Sequence, residues 1–324
     1  MNNKIVIVSG DPNSINSEII FKTWKKLNEI DRKNIFIITS YKLLRDQFKK
    51  LKFTAPVIKI EDINQNIKNN KIKILNVDIN FKNPFKVNKK IASKFVKESL
   101  NLAHNLAVNR KVKGIINCAI DKRLLSDKNI GVTEYLSQKC KIKKNTEVMM
   151  ISNEKISVCP ITTHANLKDV SKKINKKNII NKINTINKFY KKIYKVKPRI
   201  GVLGLNPHNA ELRKKSEEIK EIIPAIKYLI QKGLKISGPL ISDTIFMNDY
   251  KKYNVIVGMY HDQVLSPFKA LFKFNAINIT LGLKYLRLSP DHGTAKNLIN
   301  KKKANSESLD KCINFLKEIK YEIC

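Results

Sequence analysis

Residues 199–208 read RIGVLGLNPH, an apolar run that ends in a turn and a histidine. The same pattern occurs in SVCPITTH at residues 157–164 and in NVIVGMYH at residues 254–261. Each run is rich in β-branched and aliphatic residues and has the length of a buried strand. The three segments therefore predict three strands, each with a histidine at or just beyond its carboxyl end.

Similar short runs recur along the chain and alternate with longer amphipathic stretches. We predict strands at residues 4–9, 34–39, 57–60, 72–77, 114–118, 148–152, 199–205, 254–259 and 276–281. Predicted helices lie between many of them, for example at residues 91–108 and 217–231. A basic amphipathic helix is predicted within residues 172–197, ending before Pro198. This alternation predicts an α/β fold with a largely parallel sheet.

Composition limits the class of protein. The chain has 324 residues, of which 42% are hydrophobic, so it is long enough for two lobes with buried cores. The formal net charge of +37 comes almost entirely from lysine, and asparagine and isoleucine are enriched with it. That combination is typical of a coding bias towards A/T-rich codons. A protein that reads nucleic acid is expected to concentrate arginine and aromatic residues instead. We therefore predict no specific nucleic-acid partner, and nucleic-acid binding stays a remote alternative.

The cysteines and the N-terminal segment indicate the compartment. The five cysteines are isolated from one another and form no CxxC pair, which favours reduced thiols over disulfides. The first residues run directly into a predicted strand without an apolar signal core, and no apolar run has the length of a membrane span. The sequence predicts a soluble, cytoplasmic protein without a membrane partner.

Three of the five histidines share one context, since His164, His208 and His261 each follow a predicted strand. Ligands of open α/β sheets gather at the carboxyl ends of the strands, and imidazole is a good ligand for divalent metals. The three side chains are therefore candidate metal ligands, and the alternative is that each is an ordinary loop residue. His104 lies within a predicted helix and is interpreted as a packing or surface residue. His292 is either a neighbour of the site or a neighbour of a helix cap.

A second polar cluster follows His261, in a stretch that includes Lys269, Asn278 and Arg287. Lysine and arginine suit a phosphate or a carboxylate. Arg287 is the more informative of the two, because arginine is rare in this chain and lysine is abundant everywhere. Neither GxGxxG nor GxxxxGK[ST] occurs, so the sequence contains no Rossmann fingerprint and no P-loop.

Eight motifs together resemble one enzyme family over nearly the whole chain. They are GDPNSINSE at residues 10–18, CAIDK at 118–122, GVTEYL at 131–136, TTHANLKDV at 162–170, GLNPH at 204–208, GPLISDTIF at 238–246, MYHDQ at 259–263 and NITLGLKYLRLSPDHGTA at 278–295. In this order they resemble the 4-hydroxythreonine-4-phosphate dehydrogenases of pyridoxal-phosphate biosynthesis.

The resemblance implies a two-lobed α/β/α fold like that of isopropylmalate dehydrogenase, with the active site in the interlobe cleft. This is not a Rossmann fold, which accounts for the missing GxGxxG. By analogy, residues 1–128 and 285–324 form the first lobe, and residues 129–284 form the second lobe with most metal and substrate residues. The resemblance also implies a homodimer whose metal site lies at the subunit interface.

The family's functional residues fall on specific positions of this sequence. The resemblance implies a metal site formed by His164, His208 and His261. It implies a substrate site formed by Thr133, Lys269, Asn278 and Arg287. It implies catalytic roles for Asp243, as a base or polar orienter, and for Lys269. The residues that contact the cofactor are not identified.

The implied activity is oxidation of 4-phosphooxy-L-threonine by NAD or NADP with one divalent metal, zinc, magnesium or cobalt, per site. Decarboxylation then gives 3-amino-2-oxopropyl phosphate. Three departures from the family leave alternatives open. The family's GHTE motif reads GVTE with Val132, the glycines of its GDPAGIGPE turn are replaced, and its glycine-rich loop after GLNPH reads NAELRKKSEE. The alternatives are a dehydrogenase for another phosphorylated hydroxy acid, such as phosphothreonate or phosphoerythronate, and an inactive homologue.

Overall fold

The computed structural model describes residues 3–65, 67, 70–125, 131–142 and 146–319. Contacts within the chain divide it into two compact units: Met1–Cys140 with Lys284–Cys324, and Lys141–Leu283. The first boundary differs from residue 128, where the sequence places it. The helix at Val132–Lys139 stays with the first unit, where the Tyr135 hydroxyl donates a hydrogen bond to Asn101 Oδ1 at 3.0 Å.

The strands are numbered in chain order. Those of the described residues are β1 (Ile5–Val8), β2 (Ile35–Thr39), β3 (Val57–Ile60), β4 (Ile72–Asn76), β5 (Gly114–Asn117), β6 (Val148–Ser152), β7 (Ser157–Thr162), β8 (Arg199–Leu203), β9 (Lys235–Leu240), β10 (Val255–Tyr260), β11 (Ile277–Leu281) and β12 (Leu286–Pro290).

The α-helices are numbered in the same way. Those of the described residues are α1 (Asn16–Lys26), α2 (Glu29–Asn34), α3 (Tyr41–Leu51), α4 (Lys89–Val108), α5 (Val132–Lys139), α6 (Val170–Lys173), α7 (Lys176–Ile193), α8 (Ile223–Gln231), α9 (Ser242–Ile245), α10 (His261–Phe272) and α11 (Glu307–Glu318).

In the first unit the strands follow the order β3-β4-β2-β1-β5-β12, and every neighbouring pair is parallel. The central strands are apolar except for the terminal Thr39 of β2, with IVIV in β1 and IFIIT in β2, and every residue in them is buried. Continuous apolar runs of this kind are expected where helices cover both faces of a parallel sheet.

In the second unit the order is β11-β6-β7-β10-β8-β9. β6 is antiparallel to both of its neighbours, β11 and β7, whereas β7, β10, β8 and β9 are parallel in succession. The largely parallel α/β arrangement predicted from the sequence therefore holds, with β6 as the antiparallel element of this unit.

The predicted amphipathic helix before Pro198 is confirmed as α7. Its buried face is formed by apolar residues at helical spacing, including Ile179, Ile183, Ile186 and Tyr190. The Tyr190 hydroxyl donates a hydrogen bond to the backbone oxygen of Asn254 at 3.0 Å. The lysines of α7 other than the buried Lys182 therefore lie on a face that water solvates, as expected for an amphipathic helix.

The run SVCPITTH predicts β7 in addition to the nine ranges given above, but β9 and β12 were not predicted, and one helical segment was also missed. β9 was missed because it contains Gly238 and Pro239 and is largely exposed, so it shows no apolar run. β12 was missed because Arg287 and Ser289 interrupt it, although all of its residues are buried. The segment that follows β10 and includes Lys269, for which no helix was predicted, is the helix α10.

Two further sequence-based interpretations concern cysteines and membranes. Cys118, Cys140, Cys159 and Cys312 are free thiols and buried, and Cys324 lies outside the described residues. Among the described helices, none combines the length and the apolar character that a transmembrane segment requires.

Candidate functional site

Three neighbouring strand ends of the second unit carry the candidate metal ligands. β10 lies between β7 and β8 and is parallel to both. His164 follows β7, His261 follows β10 directly, and His208 follows β8. Because parallel strands end at the same edge of a sheet, the three imidazoles come from one edge of this unit.

Two of these histidines are close together. The ring centroids of His164 and His261 lie 6.2 Å apart, with an angle of 35° between the ring planes. Zinc–nitrogen bonds of about 2 Å in tetrahedral geometry place two ligating rings about 5 Å apart, so a shift of about 1 Å would let both bind one ion. Within the described ranges, no three histidine, cysteine or acidic side chains are close enough together to hold a metal. His208 is therefore not gathered with the other two.

His261 has a carboxylate partner that suits a metal ligand. Its Nδ1 lies 2.6 Å from Asp262 Oδ1. With Nδ1–H donating to the carboxylate, the lone pair of the neutral ring is on Nε2. A carboxylate that orients a histidine in this way is the usual second partner of a metal-binding imidazole. The chemistry of the donor set therefore fits a divalent metal.

His208 lies in a turn with an unusual backbone. From His208 to Leu212 five consecutive φ angles are positive, between 48° and 56°, although none of these residues is glycine. A left-handed conformation costs a non-glycine residue about 1–2 kcal/mol. The surrounding structure must therefore hold this turn in place. One such contact is the hydrogen bond from Asn209 Nδ2 to the backbone oxygen of Pro239 at 3.1 Å.

Two residues that sequence reasoning missed hold the chain just before this turn. Glu218 is fully buried, and its Oε1 accepts hydrogen bonds from the backbone amides of Leu205 and Asn206, both at 2.8 Å. Burial raises the pKa of Glu218, but the hydrogen bonds from Asn206 and Leu205 outweigh it and hold the pKa below its ordinary value. The segment EIKEIIPAI also contains Lys220 and Glu221, so nothing in its pattern singles out Glu218 as the buried carboxylate.

Gln263 is the second missed residue. It is buried in the first turn of α10, where its Oε1 accepts a hydrogen bond from the Met259 amide at 2.7 Å. Its Nε2 donates to the Gly204 carbonyl at 2.7 Å. One side chain thus joins the end of β10 to the chain that follows β8, and these segments carry His261 and His208.

The other predicted residues of the second unit occupy separate elements. Asp243 is exposed in the first turn of α9, a helix that packs against residues 207–212. Lys269 is exposed in the last turn of α10. Asn278 is half-buried in β11, and its Oδ1 is buried without a hydrogen-bond partner among the described residues. An unpaired buried amide oxygen is costly, which makes Asn278 a candidate for contact with a ligand.

In the first unit the structure brings Arg287 and Thr133 together. Arg287 lies in β12 and is only 3% exposed, and its Nη1 donates to Thr133 Oγ1 at 3.5 Å. Burial lowers the pKa of Arg287 to about 10, so the guanidinium stays protonated at neutral pH. Val132, where the resemblance implies a histidine, is the first residue of α5.

The remaining histidines lie in the first unit. His104 is in α4, and its Nδ1 is 2.9 Å from the Tyr285 hydroxyl, which agrees with a packing role. His292 follows β12, and its Nδ1 donates to the Gly293 carbonyl at 2.9 Å. Burial lowers the pKa of both side chains. Both belong to the first unit, whereas His164, His208 and His261 belong to the second.

Comparison with known proteins gives the family. The family model described as "Pyridoxal phosphate biosynthetic protein PdxA" matches residues 31–316. The chain belongs to the PdxA family. It is 36% identical over 314 residues to the 4-hydroxythreonine-4-phosphate dehydrogenase of Sulfurihydrogenibium sp., covering 94% of each chain. It is 35% identical over 312 residues to the Aquifex aeolicus protein of the same name, covering 95% of each.

Solved structures of the PdxA family have the same fold. The crystal structure of 4-hydroxythreonine-4-phosphate dehydrogenase from Klebsiella pneumoniae matches with a TM-score of 0.84 at 28% identity, covering 97% of this chain and 98% of the other. The family resemblance predicted from the motifs and the mixed α/β fold are both confirmed. Because the relatives are dehydrogenases, the chain is an oxidoreductase.

Replacing Glu211 by glycine tests the left-handed turn. Glu211 is exposed with a φ of 48°, so Glu211→Gly should relieve backbone strain without removing buried contacts. We expect the free energy of unfolding to rise by about 1 kcal/mol. Glu211→Ala, the matched control, keeps the strain and should change stability by less than about 0.5 kcal/mol. Denaturant unfolding measures both, and equal effects of the two substitutions would contradict a strained turn.

Proposed function

We propose that this protein oxidises 4-phosphooxy-L-threonine with NAD or NADP in a metal-dependent reaction, as part of pyridoxal-phosphate biosynthesis. Decarboxylation of the oxidised acid then gives 3-amino-2-oxopropyl phosphate. The observation that carries the proposal is the arrangement of three histidines at the ends of adjacent parallel strands, in a chain of the PdxA family. The names of the family's relatives supply the substrate.

We assign the metal site to His164, His208 and His261. The contact between Asp262 and His261 supports the assignment because it orients one ligand. A divalent metal held there, zinc, magnesium or cobalt, would supply Lewis-acid chemistry: it would lower the pKa of the substrate hydroxyl and polarise the carbonyl that replaces it. The ring centroids of His164 and His261 are 6.2 Å apart, so the two rings would have to come closer by about 1 Å to share one ion.

The substrate carries a phosphate and a carboxylate, and we assign their recognition to four residues. Arg287 offers a permanently charged, planar donor group, and the Thr133 hydroxyl lies beside it. Lys269 supplies a second cation, and Asn278 supplies an amide whose oxygen lacks a hydrogen-bond partner among the described residues. The high positive charge of the chain favours the approach of an anionic substrate in general.

The chemical steps need one proton acceptor and one proton donor. Oxidation removes the proton from the hydroxyl oxygen and a hydride from the carbon that carries this hydroxyl, and we assign acceptance of the proton to the carboxylate of Asp243. Bound NAD or NADP would supply the hydride acceptor. Loss of carbon dioxide from the β-keto acid leaves the bonding electron pair on carbon, which then takes up a proton. The ammonium group of Lys269 is the donor we propose for that proton.

We further propose that the enzyme acts as a homodimer in the cytoplasm, with the metal site at the subunit interface. The dimer rests on the family resemblance alone. Four buried free cysteines support a reducing compartment, because oxidised compartments favour disulfides. Size-exclusion chromatography with light scattering tests the dimer directly.

NADH formation from 4-phosphooxy-L-threonine tests the proposed reaction. We expect turnover by the metal-loaded protein, loss of turnover after chelation, and recovery when the metal is added back. His208→Ala should lower bound metal, measured by plasma mass spectrometry, and reduce turnover by about 100-fold or more. His104→Gln, which changes a histidine outside the three strand ends, should keep both. Full activity in metal-free His208→Ala would contradict the metal assignment.

A dehydrogenase for another phosphorylated hydroxy acid is the second candidate, and Val132 is the observation that favours it. The resemblance implies a substrate-contacting histidine at position 132. Val132→His should therefore raise the activity on 4-phosphooxy-L-threonine by about tenfold if that compound is the substrate, because one charge-assisted hydrogen bond is regained. Val132→Leu controls for side-chain size. A strong loss with Val132→His, together with turnover of phosphothreonate or phosphoerythronate by the unmodified protein, would favour the second candidate.

A further inference from the structure

The guanidinium of Arg287 has a polar neighbour that the family motifs do not single out. Asn117 is the last residue of β5 and is 2% exposed. Its Oδ1 accepts a hydrogen bond from Arg287 Nε at 2.6 Å. We propose that Asn117 is a positioning residue, which orients the Arg287 guanidinium to bind an anionic group of the substrate. The inference rests on the proposed function in one respect, that Arg287 is the anchor for that group.

The pairing of β5 with β12 explains why the side chains of Asn117 and Arg287 meet. β5 and β12 are parallel neighbours, with Arg287 beside Ile115 in the register. Because alternate residues of a strand share a face, Asn117 lies on the same face as Ile115 and Arg287. The contact is therefore part of the sheet itself, and it joins residues 170 positions apart in the sequence.

The orientation of the Asn117 amide follows from its partners. The Nε–H of a guanidinium is only a donor, so the amide oxygen must face it. The amide nitrogen of Asn117 donates to the Cys118 carbonyl at 3.1 Å, which fixes the other end of the group. Thr133 Oγ1 accepts from Nη1, so the contacts with Asn117 and Thr133 together restrain the plane of the guanidinium.

A neutral acceptor suits this role better than a carboxylate would. An aspartate at position 117 would keep the hydrogen bond but would also form an ion pair with the guanidinium. That ion pair would cancel the positive charge that an anionic substrate needs. Asparagine instead restrains the guanidinium without adding a second negative charge to that of Glu134, which already acts on Arg287. The predicted consequence is that Asn117→Leu and Asn117→Asp both weaken anion binding, for different reasons.

The first experiment measures the hydrogen bond directly and needs no activity. The chain contains seven arginines, so the Nε–H region of a ¹⁵N-arginine-labelled sample is sparse. Arg287→Lys identifies the Arg287 signal by removing it. We expect this Nε–H to exchange slowly with solvent in the wild type and in Asn117→Asp, and at least about tenfold faster in Asn117→Leu. An unchanged exchange rate in Asn117→Leu would overturn the proposal.

The second experiment measures binding of 4-phosphooxy-L-threonine to the metal-loaded protein by calorimetry. We expect Asn117→Leu to raise the Kd about tenfold, which corresponds to about 1.4 kcal/mol. Asn117→Asp should weaken binding at least as much, although it keeps the hydrogen bond. In the Arg287→Lys background, Asn117→Leu should have no further effect, because the residue through which it acts is gone.

A purely structural role for Asn117 gives a different pattern. The loss of affinity in Asn117→Leu would then be the same with and without Arg287, and Asn117→Asp would bind like the wild type. Either result would overturn the proposal. Wild-type protein that binds the compound but forms no NADH would contradict the proposed reaction alone, and the Kd values would still decide the role of Asn117.

Discussion

Neighbouring parallel strands end at the same edge of a sheet, and the chemistry of this protein depends on that constraint. In the second unit β7, β10 and β8 run side by side, and a histidine follows each of them. These histidines are far apart in the sequence, at residues 164, 208 and 261, and no local motif links them. Strand pairing also brings polar side chains together in the first unit, where β5 and β12 are neighbours and Asn117 contacts Arg287.

The sequence predicted those parts of the structure in which one physical signal dominates. Strands such as β1 and β2 are buried on both faces, and their sequences are nearly continuous apolar runs. The helical spacing of the apolar residues in α7 identified its buried face correctly. The position of three histidines after strand ends was predicted correctly, because the apolar run before each of them indicates where that strand ends.

The rest of the structure depends on contacts that the sequence pattern does not contain. β12 is buried although it carries Arg287, because Asn117 and Thr133 provide hydrogen bonds within the first unit. β9 is exposed along much of its length and has no apolar pattern to detect. Glu218 and Gln263 were missed because their partners are backbone groups of distant segments, and only the folded chain brings these together.

The turn that carries His208 combines strain with firm attachment. Its left-handed residues are unfavourable by themselves, so the conformation persists only because neighbouring groups hold it. Glu218 binds the chain just before the turn, Gln263 links that chain to β10, and Asn209 attaches the turn to Pro239. The family resemblance implies a glycine-rich loop directly after this histidine, which this chain lacks. Here hydrogen bonds and packing offset the cost that glycines would avoid.

The central claim is that one metal ion is bound by the histidines of these three strand ends. Anomalous diffraction at the zinc absorption edge, from crystals grown with zinc, tests it most directly. The account predicts a strong peak within about 2.1 Å of a ring nitrogen of each of His164, His208 and His261, the usual zinc–nitrogen distance. A peak bound to other residues, or no peak near these histidines at saturating zinc, would contradict it.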